Sequence, residues 1–99
     1  MEKENIESLR EDIAILVEKY ANQTLAPKEF IPGESVIPPS GKLLDASEIK
    51  LMVEASLDGW LTTGRFNDLF EEKLASFIGV KHLITVNSGS SANLVAFNT

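Results

Sequence analysis

The chain contains no cysteine. That excludes a disulfide, a thiolate metal site and an iron–sulfur ligand from within it. A single histidine is too few for a typical zinc site. No apolar run approaches the ~20 residues that span a bilayer. The opening residues Met1, Glu2, Lys3, Glu4 and Asn5 are charged or polar, without the apolar centre of a secretion signal. A cytoplasmic protein is the expectation, with no membrane partner. Basic residues are scarce, 9 Lys+Arg against 15 Asp+Glu, so nothing favours a nucleic-acid partner. What is present is 43% hydrophobic residues over 99 positions, the balance of one small folded domain.

The stretch Ser88, Gly89, Ser90, Ser91, Ala92 and Asn93 organises the rest. It follows an apolar, β-branched run at 82–87 and precedes a segment rich in Ala, Leu and Val. That order predicts strand, small-residue turn, helix. A helix start leaves backbone N–H groups without partners and carries the positive end of the helix dipole. A phosphate satisfies both. Gly89 is expected to permit a turn that Cβ-bearing residues resist. The hydroxyls of Ser88, Ser90 and Ser91 add donors. The competing reading is an ordinary serine-capped helix.

Residues 5–20 carry Ile6, Leu9, Ile13, Leu16, Val17 and Tyr20 at steps of three and four, one stripe of an amphipathic helix. All four prolines fall between 22 and 42, which predicts a long extended arm with a short strand near 35–37. Ser40, Gly41 and Lys42 lack the Walker spacing and read as a surface turn. A second helix begins at Asp45, with Glu48 completing a capping-box pattern, and ends near Gly59. A third carries Phe66, Leu69, Phe70, Leu74, Phe77 and Ile78 and stops at Gly79. Glu71 and Glu72 read as its solvated side. His82 reads as a surface or packing residue. Between the second and third helices lie Trp60, a packing anchor, and Thr62 and Thr63, helix caps or the lining of a substrate loop. One strand by itself cannot satisfy its ladder groups. The chain is therefore expected to be the N-terminal piece of a longer protein, burying its apolar faces poorly when alone.

Two signatures stand in order. The first is Gly59, Trp60, Leu61, Thr62, Thr63, Gly64. The second, after a helix and the approach Gly79, Val80, Lys81, His82, is the turn at 88–93. Together they resemble the DegT/DnrJ/EryC1/StrS family of sugar aminotransferases and dehydrases, which use pyridoxal or pyridoxamine phosphate. The resemblance implies an α/β fold of the aspartate-aminotransferase type (PLP fold type I). This piece would be mainly helical with one clear strand. Residues 1–42 would be an amphipathic helix and Pro-rich arm, and 43–99 the start of the transferase domain. Pro38, Pro39, Ser40, Gly41 and Lys42, with the preceding helix, resemble the branch that dehydrates CDP-4-keto-6-deoxyglucose at C3 in lipopolysaccharide synthesis.

For that branch the resemblance implies a pyridoxamine phosphate enzyme that forms a Schiff base with the 4-keto group and expels the 3-hydroxyl. An NAD(P)H-dependent iron–sulfur flavoprotein reductase then supplies electrons through a [2Fe-2S] cluster. The cluster ligands and the catalytic base are not among these residues. Gly89, Ser90 and Ser91 match the turn that holds the cofactor phosphate. Trp60, Thr62 and Thr63 match a loop near the sugar nucleotide, at the interface of a homodimer. No metal ligand is assigned. Two other readings stay open. One is a sugar aminotransferase, which would carry a cofactor-anchoring Lys elsewhere. The other is a small helical interaction module without catalysis.

Overall fold

A computed structural model describes residues 5–99; the charged start at 1–4 lies outside the described residues. Four helices follow one another: α1 (Ile6–Thr24), α2 (Ala46–Leu57), α3 (Arg65–Ile78) and α4 (Gly89–Phe97). They fall into two units, one ending at Gly59 and one comprising Trp60–Thr99. No helix among the described residues is long and apolar enough to cross a membrane.

In the first unit α1 and α2 pack against each other. Asn5 caps α1, its Oδ1 accepting from the Glu7 N–H at 3.1 Å. The two helices run antiparallel. Near the start of α1, Arg10 pairs with Glu54, and with Asp58 at 3.2 Å. Further along, Lys50 reaches back to Glu18 at 3.1 Å. The Glu54 carboxylate holds the Arg10 guanidinium above its ordinary pKa. These pairs, half-buried at Arg10 and exposed at Glu18, add little stability while water reaches them, but they fix which way the helices face. The face of α1 that meets α2 carries Arg10, Ile13, Ala14, Val17 and the buried Ala21. Ile6, Leu16 and Tyr20 stay exposed, so the apolar stripe is wider than the contact. Ala21 is the sole buried hydrophobic residue among those described, in keeping with poor burial of the apolar faces.

α2 opens with the predicted capping box. The Ser47 N–H donates to Asp45 Oδ1 at 2.7 Å, and the Asp45 N–H donates to Glu48 Oε2 at 2.7 Å. The arm between α1 and α2 is not extended throughout, and no strand forms at 35–37. The Ser35 N–H returns to the Ile31 carbonyl at 2.9 Å, and the Ile31 N–H donates to Ser35 Oγ at 2.8 Å. Pro32 and Gly33 turn the chain between them, Gly33 at φ 84°, the Pro-Gly pairing of a tight turn.

In the second unit, α3 ends as its sequence requires. Gly79 sits at φ 74° in the left-handed region. The Val80 N–H donates to the Ala75 carbonyl at 3.0 Å and the Gly79 N–H to Ser76 at 3.3 Å, a Schellman ending. The chain then runs without regular structure to the cap of α4.

The predicted strand at 82–87 does not form. The described residues contain no strand. The run keeps the two-residue alternation of a strand: Leu83 and Thr85 are half-buried, while His82, Ile84 and Val86 are exposed. A strand is defined by a ladder to a neighbour, and no second segment among the described residues supplies one. The pattern is legible locally; the ladder is not a local property.

Candidate functional site

α4 is capped by Ser88, whose Oγ accepts from the Ser91 N–H at 3.1 Å. The Ser88 hydroxyl donates to Ser91 Oγ at 3.1 Å, and the Ser91 hydroxyl donates to Asn87 Oδ1 at 2.5 Å. The serine-cap reading is therefore realised. It consumes both donors of Ser91, which is half-buried. It does not consume the first two amides of the helix. The N–H groups of Gly89 and Ser90 have no acceptor among the described residues, and Ser90 is exposed. No acidic side chain lies in the first turn. The cap and an anion site are thus compatible, because they use different donors.

Gly89 departs from expectation. It lies in the first turn of the helix and is not among the glycines with positive φ. The turn does not need its conformational freedom. A Cβ built on Gly89 would meet nothing within 4 Å. What the missing side chain provides is open access to the adjacent amides.

The loop before α3 forms around Trp60. Its Nε1–H donates to the Thr63 carbonyl at 2.8 Å. Its ring lies against Gly64, where a Cβ would come within 3.2 Å of Trp60 Cδ1. Trp60 is 68% exposed, so within the described structure it closes a loop instead of anchoring a core. Thr62 and Thr63 do not cap α3; Gly64 occupies that position with no side-chain hydrogen bond. Arg65 stacks over Phe66, 4.4 Å from the ring centre. Gly89, Ser90 and Ser91 share one helical turn, while no hydrogen bond among the described residues joins the Trp60 loop to it.

A polar cluster was missed by the sequence reading. The Thr85 hydroxyl donates to Asn67 Oδ1 at 2.8 Å. Asn67 Nδ2 donates to Glu71 Oε1 at 2.7 Å, and the Thr85 N–H approaches the same oxygen at 3.5 Å. Glu71 is half-buried, so it does not belong to the solvated side with Glu72. The signal was present. Asn67 and Glu71 are four apart on α3, hence neighbours on one face. Thr85 shares the side of Leu83 in the alternating run.

Residues 43–99 match the model of the DegT/DnrJ/EryC1/StrS aminotransferase family. The chain belongs to that family. It is 66% identical over 89 residues, 90% of its length and 20% of the relative's, to the lipopolysaccharide biosynthesis protein RfbH of Salmonella typhimurium. It is 34% identical over 96 residues, 97% of its length and 21% of the relative's, to dTDP-4-dehydro-2,6-dideoxy-D-glucose 3-dehydratase of Saccharopolyspora spinosa. It is 43% identical over 54 residues, 54% of its length and 14% of the relative's, to UDP-4-amino-4,6-dideoxy-N-acetyl-beta-L-altrosamine transaminase of Campylobacter jejuni. The chain spans about a fifth of the length of the first two. Family membership supports an aspartate-aminotransferase-like fold, of which the described residues supply helices and no strand.

Proposed function

We propose that the chain works as part of a pyridoxamine-phosphate-dependent dehydrase. The enzyme removes the 3-hydroxyl of a CDP-linked 4-keto-6-deoxyhexose during lipopolysaccharide sugar synthesis. Two similarities support this reading. The likeness to RfbH and to a 3-dehydratase extends over 90% and 97% of the chain. The likeness to the Campylobacter jejuni transaminase extends over 54%. In this reading residues 43–99 begin the transferase domain and 1–42 form its arm. The whole protein is a cytoplasmic homodimer, served by an iron–sulfur flavoprotein reductase and carrying a [2Fe-2S] cluster on residues other than these.

The observation that carries the site is the pair of unpartnered amides at Gly89 and Ser90. They open a helix of nine residues with no acidic side chain in its first turn, which suits a dianionic phosphate. Gly89 and Ser90 donate through their backbone N–H groups, and Ser90 adds its hydroxyl. Ser91 holds the turn in shape through Ser88 and Asn87. Trp60, Thr62 and Thr63 form the sugar-nucleotide loop, its shape held by the indole bond to Thr63. When bound, the cofactor supplies the electron sink for proton removal and loss of the hydroxyl. The residues described here bind and orient it.

A sugar aminotransferase is the second reading, favoured by the transaminase relative. The deciding experiment takes the whole protein with pyridoxamine phosphate, a CDP-linked 4-keto-6-deoxyhexose, and NAD(P)H with an iron–sulfur flavoprotein reductase to supply the two electrons. Loss of the 3-hydroxyl without transfer of an amino group is the expected result. Formation of an amino sugar would establish the transaminase instead.

A further inference from the structure

We infer, on the cofactor reading above, that Glu71 is a positioning residue: through Asn67 and Thr85 it sets the register of residues 82–87 on α3. It thereby sets where the free amides of Gly89 and Ser90 stand.

The cluster is a closed ring. Thr85 Oγ1 donates to Asn67 Oδ1 at 2.8 Å, Asn67 Nδ2 donates to Glu71 Oε1 at 2.7 Å, and the Thr85 N–H points back to Glu71 Oε1 at 3.5 Å. Thr85 Oγ1 also lies 3.2 Å from Glu71 Oε1. The amide of Asn67 has one workable orientation, since the reverse would set its carbonyl against the carboxylate. Both the side chain and the backbone of Thr85 are therefore tied to one helix face.

Apolar burial alone leaves the register open. A slip by one residue would expose Leu83 and Thr85 together and is disfavoured. A slip by two keeps the same side toward α3 and would move the turn at Ser88 by about 6–7 Å, at roughly 3.3 Å per residue. Only a specific polar contact separates these registers. Thr85 provides it, three residues before the cap of α4. No ladder among the described residues does so.

One carboxylate oxygen makes all of the contacts, so the charge is not what the cluster needs. Glu71→Gln keeps an acceptor at that place. Glu71→Ala leaves the Asn67 amide and the Thr85 N–H without one.

The test uses the whole protein with pyridoxal 5′-phosphate as the probe, at a temperature well below the melting point of each variant. Glu71→Ala is expected to weaken binding by about tenfold, as donors left unpaired allow the run to shift. It is also expected to speed amide exchange at 83–88 while α3 keeps its protection. Glu71→Gln is expected to restore both. Unchanged exchange at 83–88 would overturn the inference, as would faster exchange with unchanged affinity, or failure of Glu71→Gln to rescue. Gly89→Pro, which removes one of the two free amides at the first position of α4 where proline is tolerated, is measured beside them and separates the two readings. If it leaves affinity unchanged, the phosphate turn is wrong, while the exchange data still judge the role of Glu71 in the register.

Discussion

The hydroxyl of Thr85 donates to Asn67 Oδ1 at 2.8 Å across eighteen positions of sequence. It joins a helix that reads plainly from its periodicity to a run whose strand never forms. Through it the start of α4 is tied to α3 by side chains instead of by a ladder.

The division of labour among the serines gives one prediction. Ser90→Ala in the whole protein removes a donor to a charged acceptor and is expected to weaken pyridoxal phosphate binding by about 1.5–3 kcal/mol. Its melting temperature should hardly move, because the Ser90 hydroxyl makes no hydrogen bond among the described residues, where the turn is held by Ser88, Ser91 and Asn87. Ser88→Ala should instead cost about 1 kcal/mol of stability through the lost cap. Fluorescence titration and thermal melts of both variants distinguish the two effects. Equal affinity in Ser90→Ala and the unaltered protein would remove that hydroxyl from the site.

Gly79 supplies a second. Its φ of 74° is strained for a residue with a Cβ. An added Cβ would meet nothing within 4 Å, so the cost is conformational alone. Gly79→Ala is expected to destabilise by about 1–2 kcal/mol. Gly79→Asn should cost less, since Asn tolerates the left-handed region. Denaturant melts measure both, and an equal loss in the two variants would point to packing instead.

The third concerns pH. Asp45 is held below its ordinary value of 3.8, first by the Ser47 hydroxyl and then by the Ser47 N–H. A depressed carboxylate stabilises the fold above its unfolded pKa, and the benefit fades as pH falls through the folded one. The start of α2 should therefore loosen only in acid, below 3.8. An NMR titration of the Asp45 carboxyl carbon is expected to show a midpoint below that value. A midpoint at or above it would mean that the capping box does not persist in solution.

All four helices were legible in sequence because their signals are local. Asp45 and Glu48 marked the start of α2, and Gly79 the end of α3. The alternation in 82–87 was equally local, and the structure keeps it. Its identity as a strand was not legible, since that depends on a neighbour. Glu71 was misread because its neighbour on the chain, Glu72, made the pair look solvated. Its partner Thr85 lies fourteen residues away.

The sequence alone determined the helices, their caps and the small-residue turn at Ser88, because each rests on contacts within a few residues. The family likeness covers residues 43–99. Tertiary structure decided which side of α1 meets α2. It also decided that Glu71 faces inward. Those outcomes depend on which groups from distant positions arrive first at the same hydrogen-bonding atoms, and no local pattern encodes that competition.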